Sequence, residues 1–169
     1  MKEYLKNKII NLKDINNIKH LKKIIMSNGV FDLLHIAHIK LINFCKESYP
    51  SHFLLIAINS DESVKLIKGK NRPFYSLEER MYMLASLHSV DLVIPFSQTS
   101  VLPLLEVIKP DVLIKGGTTG EIEGAQFVES YGGKVIRYEN VIKINQEILS
   151  TTRILENEDT DFHLGLNFK

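Results

Sequence analysis

Asn28-Gly-Val-Phe-Asp-Leu-Leu-His-Ile-Ala-His38 follows directly on the apolar run Ile24-Ile-Met26, and this junction decides the fold. The spacing predicts a short buried strand that ends at the Asn28-Gly29 turn, then a helix from His35 to Lys46. His35 and His38 would share one face of the first helical turn, because positions i and i+3 are neighbours. The unpaired N–H groups and the positive dipole end of that helix lie at the same place. Such a terminus suits an anion, phosphate above all. Two imidazoles over a phosphate point to phosphoryl or nucleotidyl transfer.

Outward from this junction, strands and helices alternate. Phe53-Leu-Leu-Ile-Ala-Ile58 is the continuous apolar run of a parallel strand covered on both faces. Asn59-Ser-Asp-Glu62 reads as a loop and helix start, and Lys65 to Pro73 as a basic loop. Ser76-Leu-Glu-Glu79 has the spacing of a capping box and opens a helix to about Leu87. Asp91-Leu-Val-Ile-Pro95 is a strand that the proline is expected to stop. Val101 to Ile108 is helical up to Lys109-Pro110, and Asp111-Val-Leu-Ile114 is a further strand. A helix around Glu123 to Tyr131 ends at Gly132-Gly133, before the strand Lys134-Val-Ile-Arg-Tyr138. Ser150-Thr-Thr152 would cap a last helix. The alternation predicts an α/β fold, a single Rossmann-like doubly wound parallel sheet of about five strands. Ligands in such sheets bind beyond the carboxyl ends of the strands. Residues 1–23 read as an N-terminal helix or arm, 24–155 as the domain, and 156–169 as a C-terminal tail.

Composition narrows the function. With 169 residues, 44% hydrophobic and 24% charged, the chain can bury a core of ordinary size. Its net charge of +1 gives no general attraction to nucleic acid or membrane, so neither is expected as a partner. A lone cysteine, Cys45, cannot form an internal disulfide, which fits a cytoplasmic protein. No signal peptide is expected from Met-Lys-Glu-Tyr-Leu-Lys-Asn-Lys8, and the run Phe53 to Ile58 is far too short to span a membrane.

The competing motifs fit less well. Zinc-protease helices set two histidines at i and i+4 around a glutamate, whereas Ile36 and Ala37 separate these two; no metal ligands are assigned. There is no G-x-G-x-x-G and no glycine-rich loop ending in Gly-Lys-Ser/Thr, which disfavours an ordinary NAD enzyme or a P-loop kinase. Lys65, Lys68, Lys70 and Arg72 place four cations within eight residues. Alone, they would read as a solvated basic loop.

The stretch Asn28 to His38 resembles the signature of the cytidylyltransferase-like nucleotidyltransferase superfamily, whose core is His-x-Gly-His. Asn59-Ser-Asp61, Lys68-Gly-Lys-Asn-Arg-Pro73, Leu77-Glu-Glu-Arg80, Val90-Asp91, Lys109-Pro-Asp111, Lys115-Gly-Gly117 and Ser150-Thr-Thr152 follow in the family's order. Lys-Gly-x-x-Arg-Pro and Lys-Gly-Gly are most similar to the heptose 1-phosphate adenylyltransferase domain of ADP-heptose synthesis. The resemblance implies that a sugar phosphate attacks the α-phosphorus of ATP and releases pyrophosphate. It implies that His35, His38 and Lys68 serve catalysis. Asn28, Gly29, Val30, Phe31, Asp32, Arg72, Arg80, Lys115, Gly116, Gly117, Ser150, Thr151 and Thr152 would bind nucleotide. Mg²⁺ would come with the nucleotide phosphates, and relatives of this fold often form homodimers. A CTP-dependent transferase acting on a polyol or sugar phosphate, or a non-catalytic nucleotide-binding relative, are the alternatives. The chain departs from the pattern at Ala37, in place of the motif's glycine, and at Thr118 and Ile148.

Overall fold

The computed structural model describes residues 3–19, 23–117, 120–139, 143–144 and 147–148. The leading segment folds as α1 (Glu3–Lys6), a 3-10 turn (Leu12–Asp14) and α2 (Ile15–Lys19). It is followed by β1 (Ile24–Gly29), α3 (Ile36–Ser48), β2 (Phe53–Asn59), α4 (Asp61–Lys68) and α5 (Leu77–Ser86). Then come β3 (Leu92–Phe96), α6 (Leu102–Ile108), β4 (Val112–Gly116), α7 (Ala125–Ser130) and β5 (Lys134–Tyr138). A small antiparallel pair, β6 (Lys143–Ile144) and β7 (Glu147–Ile148), closes the described chain.

The sheet runs β3-β2-β1-β4-β5 with every neighbour parallel, as the alternation predicts. Side chains on a strand alternate between faces, and β2 shows why its sequence is apolar throughout. Leu54, Ile56 and Ile58 enter a core with Leu41, Ile42 and Cys45 of α3 and Leu84 and Ala85 of α5. Leu55 and Ala57 enter the opposite core with Leu104, Leu105 and Ile108 of α6 and Val128 of α7. Buried in the first of these cores, the Cys45 thiol is pushed up to about 12, so it is a packing group and not a nucleophile.

The strands begin on a repeated device. Asp91, just before β3, accepts from the Leu54 N–H at 2.8 Å and from the Lys46 ammonium at 2.7 Å. Asp111, just before β4, accepts from the Ile24 N–H at 2.8 Å. Each aspartate satisfies a backbone donor at the start of the strand beside it, the first of β1 and the second of β2. This gives Val90-Asp91 and Lys109-Pro-Asp111 a structural reason.

Several boundaries differ from the sequence reading. Residues 3–19, read as a helix or arm, carry two short helices and pack onto the sheet. Ile9 bridges Val93 in parallel at the outer edge of β3, with the Ile10 N–H bonded to the Val93 carbonyl at 3.0 Å. Leu5 sinks into one core and Ile15 into the other, so the segment wraps and covers an edge that would otherwise invite pairing. β3 continues through Pro95 to Phe96 because an edge strand tolerates a missing donor. α4 extends to Lys68, capped by Ser60, so Lys65 and Lys68 belong to a helix and not to a loop. The α5 capping box forms as read, with Ser76 N–H donating to Glu79 at 2.9 Å.

Replacing Asp91 with alanine strands the Leu54 N–H and removes the ion pair of Lys46, whose ammonium keeps the His52 carbonyl at 3.0 Å. We expect Asp91→Ala to lower the unfolding free energy by about 2–3 kcal/mol in chemical denaturation; a loss below about 0.5 kcal/mol would contradict this account.

Candidate active site

At the carboxyl edge of the sheet, β1 and β4 are the neighbours whose connections run in opposite directions, the place where open α/β sheets bind ligands. The turn after β1 is held unusually. Phe31 has φ of 47°, a left-handed conformation that a bulky residue rarely adopts. Its ring is buried and folds back over Gly29, where an added Cβ would lie 3.2 Å away. Such strain persists where the surroundings over-determine it, and here they do on both sides. The preceding carbonyl, Val30 O, accepts from Arg80 Nη1 at 2.6 Å. The following side chain, Asp32, is 1% exposed, pairs with Arg72 and accepts from the Phe74 N–H at 2.6 Å.

Arg80 is wholly buried. Besides Val30 O, its guanidinium donates to Tyr75 O at 3.0 Å, Asn59 O at 2.9 Å and Asp61 Oδ1 at 2.7 Å. One cation thereby joins the ends of β1 and β2, the start of α4 and the loop before α5. Arg72 and Arg80, both candidate nucleotide-binding residues by sequence, are thus engaged with protein partners. Lys68 is exposed at the carboxyl end of α4.

The structure brings the two histidines together. His35 is the N-cap of α3 and His38 the third residue inside, with rings stacked at 3.8 Å between centroids and 27° between planes. The His35 N–H donates to His38 Nδ1 at 3.4 Å, so that nitrogen carries the lone pair and Nε2 carries the proton. His35 Nδ1 is buried without a partner among the described residues. Burial holds both imidazoles below their ordinary value. His38 falls to about 3, chiefly by burial and further by its neighbour His35, with a backbone hydrogen bond at Leu33 opposing. Both rings are therefore neutral hydrogen-bond donors at pH 7.

Lys115 lies near the end of the neighbouring strand β4. Its ammonium donates to Asn28 O at 2.7 Å, tying β4 to β1, and burial lowers it to about 8 while Glu123 opposes. It still carries positive charge at pH 7. Asn28 Oδ1 and Ser27 Oγ are buried without partners among the described residues, which marks this strand end as incomplete on its own. Gly116 has a packing reason, since a Cβ there would lie 3.2 Å from Leu41 of α3. Gly117 has φ of 123°, which favours glycine. Ser150, Thr151, Thr152 and Thr118 lie outside the described residues.

Sequence reasoning overlooked Asp61, Tyr75 and Phe74 as parts of this edge. Asp61 gave two signals, its place in the Asn59-Ser-Asp61 motif and an acid in the first turn of a helix that follows a strand; the carbonyl of Tyr75 gave none.

Arg80→Leu removes the shared donor of three carbonyls and one carboxylate. We expect it to cost about 3–5 kcal/mol of unfolding free energy, and Arg80→Lys, which lacks the planar fork, to recover less than half. His38 titrates near 6.5 when unfolded and near 3 when folded, so unfolding takes up a proton between these values. Stability is therefore complete above pH 6.5 and declines as the pH falls towards 3. His38→Gln should flatten that slope in melts followed from pH 4 to 7, and an unchanged slope would refute the assignment.

The cytidylyltransferase-like family model matches residues 26–157. The chain is 41% identical over 137 residues to the bifunctional protein HldE of Alcanivorax borkumensis, covering 80% of this chain and 27% of the relative. It is 43% identical over 136 residues to the bifunctional protein HldE of Nitrosococcus oceani, covering 79% of this chain and 27% of that one. The chain thus spans about a quarter of the length of these curated relatives. Among solved structures, the lipopolysaccharide core biosynthesis protein of Thermoplasma volcanium superposes with a TM-score of 0.59 at 24% identity. That match covers 70% of this chain and 97% of the other, and it is a likeness of fold. Strand order, histidine pair and sequence agree: the chain belongs to the cytidylyltransferase-like family.

Proposed function

We propose that this domain is a sugar-phosphate adenylyltransferase, with a heptose 1-phosphate as its plausible acceptor. The observation that carries the proposal is the pair of neutral, stacked histidines at the start of α3, at the carboxyl edge of β1. A phosphate oxygen of the acceptor attacks the α-phosphorus of ATP. One P–O bond forms, the bond to the bridging oxygen of the β-phosphate breaks, and pyrophosphate leaves with the electron pair. The protein's part is placement and electrostatic stabilisation. His35 and His38 would serve α-phosphate oxygens as neutral hydrogen-bond donors as charge builds, beside the N-terminal amides of α3. Lys115 would supply positive charge from the β4 side, and Lys68 would approach from the end of α4. Ser150, Thr151 and Thr152 are proposed as further triphosphate contacts on the strength of the resemblance.

Mg²⁺ fits as a companion of the triphosphate. Asp32 and Asp61 are already engaged by arginines, so the chain would hold the metal through substrate phosphates, a common mode for this ion. It would neutralise the departing pyrophosphate. Cytoplasmic residence and a homodimer belong to the same proposal; among the described residues no helix is long and apolar enough to cross a membrane. The HldE relatives and the Lys115-Gly-Gly edge favour this reading over a CTP-dependent transferase.

Pyrophosphate release should be measured with ATP, CTP, GTP and UTP against a panel of sugar and polyol phosphates. We expect turnover with ATP and a sugar 1-phosphate, and a fall of about 100- to 1,000-fold for His35→Ala and for His38→Ala. Nucleotide binding by calorimetry without pyrophosphate from any pair would reject the transferase and leave a binding module.

A further inference from the structure

The loop between α4 and α5 displays an aromatic ring whose exposure is not a matter of a loose backbone. Phe74 is 61% exposed. Yet its N–H donates to the buried Asp32 at 2.6 Å, Arg72 pairs with the same carboxylate, and the Tyr75 carbonyl accepts from Arg80 Nε at 3.0 Å. Residues 72–75 are thus fastened at three points to two buried side chains, Asp32 in the turn that leads to His35 and Arg80 on α5. The Tyr75 ring stands edge-on to the Phe74 ring at 5.0 Å and 88°, which restricts how that ring can lie. An exposed apolar ring on a fastened backbone gains nothing from folding, so its use is to be sought in binding.

The same connection carries charge. Lys68 and Lys70 are exposed on either side of Gly69. One short segment therefore offers cations and a flat apolar face together, anchored on the carboxylate that also fixes the phosphate-site turn. A phosphorylated sugar has the matching chemistry, a dianion at one end and a face of C–H groups on the ring. The negative face of an aromatic ring favours such C–H groups. Inorganic phosphate has no such face, and a short polyol phosphate has little of one.

We propose that Phe74 forms the wall of the acceptor subsite, its ring against the carbon face of the phosphorylated sugar, with Lys68 and Lys70 towards the sugar's phosphate. This assignment rests on the function proposed above and adds which residue selects the acceptor. Leu66 and Tyr82, exposed on α4 and α5, suggest the competing use of Phe74 in a protein contact.

Steady-state kinetics of the full chain with ATP and a heptose 1-phosphate test the proposal. Phe74→Ala should raise the acceptor KM about tenfold while leaving the ATP KM within about twofold. Phe74→Tyr should restore the acceptor KM, and Leu66→Ala should change neither constant. An unchanged acceptor KM in an active Phe74→Ala enzyme, or an equal rise for both substrates, overturns the subsite and leaves the function standing. So does a Phe74→Ala protein whose sedimentation changes while both KM values hold, which would assign the ring to a protein contact. Wild-type protein that releases no pyrophosphate overturns the function itself, and the subsite with it.

Discussion

The carboxyl edge of this domain depends on one buried guanidinium. Arg80 meets the carbonyls of Val30, Asn59 and Tyr75 and the carboxylate of Asp61, groups from four separate segments. Carbonyls at strand ends have left the ladder, and burying them unpaired is costly. A planar fork with five N–H donors can satisfy several at once, which an ammonium cannot do in fixed directions. The strained turn at Phe31, the register of the loop at Tyr75 and the start of α4 are therefore set by the same group. This arginine acts on the proposed nucleotide site through position.

Charge at the site is correspondingly divided. Asp32 and Asp61 hold arginines in place, so neither faces the crevice as an uncompensated anion that would repel a triphosphate. The histidines are neutral because they are buried, and His38 also because it would suffer the charge of His35. A neutral donor pair can take up a phosphate without first losing a counterion, and it gains strength as the phosphate's charge grows. Positive charge is kept at the margins, at Lys115 on one strand end and at the exposed lysines near the end of α4.

Much of this architecture could be read from the chain, because local chemistry fixed it. β5 runs from Lys134 to Tyr138 as read, bounded by the Gly132-Gly133 stop, and α5 starts where Ser76 and Glu79 form their box. The histidine pair followed from spacing alone. What escaped reading depends on distant neighbours. Whether Pro95 ends a strand is decided by β3 lying at the sheet edge, and whether residues 3–19 are an arm is decided by an edge needing cover. Arg80 looks like any helix-surface arginine until three carbonyls from other segments converge on it. Phe74 gave no periodic signal at all, since a ring held outward by its backbone bonds follows neither strand nor helix spacing.

The pairing of β1 has a further consequence. Six residue pairs join it to β2, but only Ile25↔Val112 and Met26↔Leu113 join it to β4. Above Met26 the two strands come apart like a partly opened zipper, and the Asn28 carbonyl is met by a lysine side chain in place of a strand amide. A lysine side chain therefore stands where a strand amide would otherwise continue the ladder, and it joins the two halves of the sheet at the mouth of the crevice.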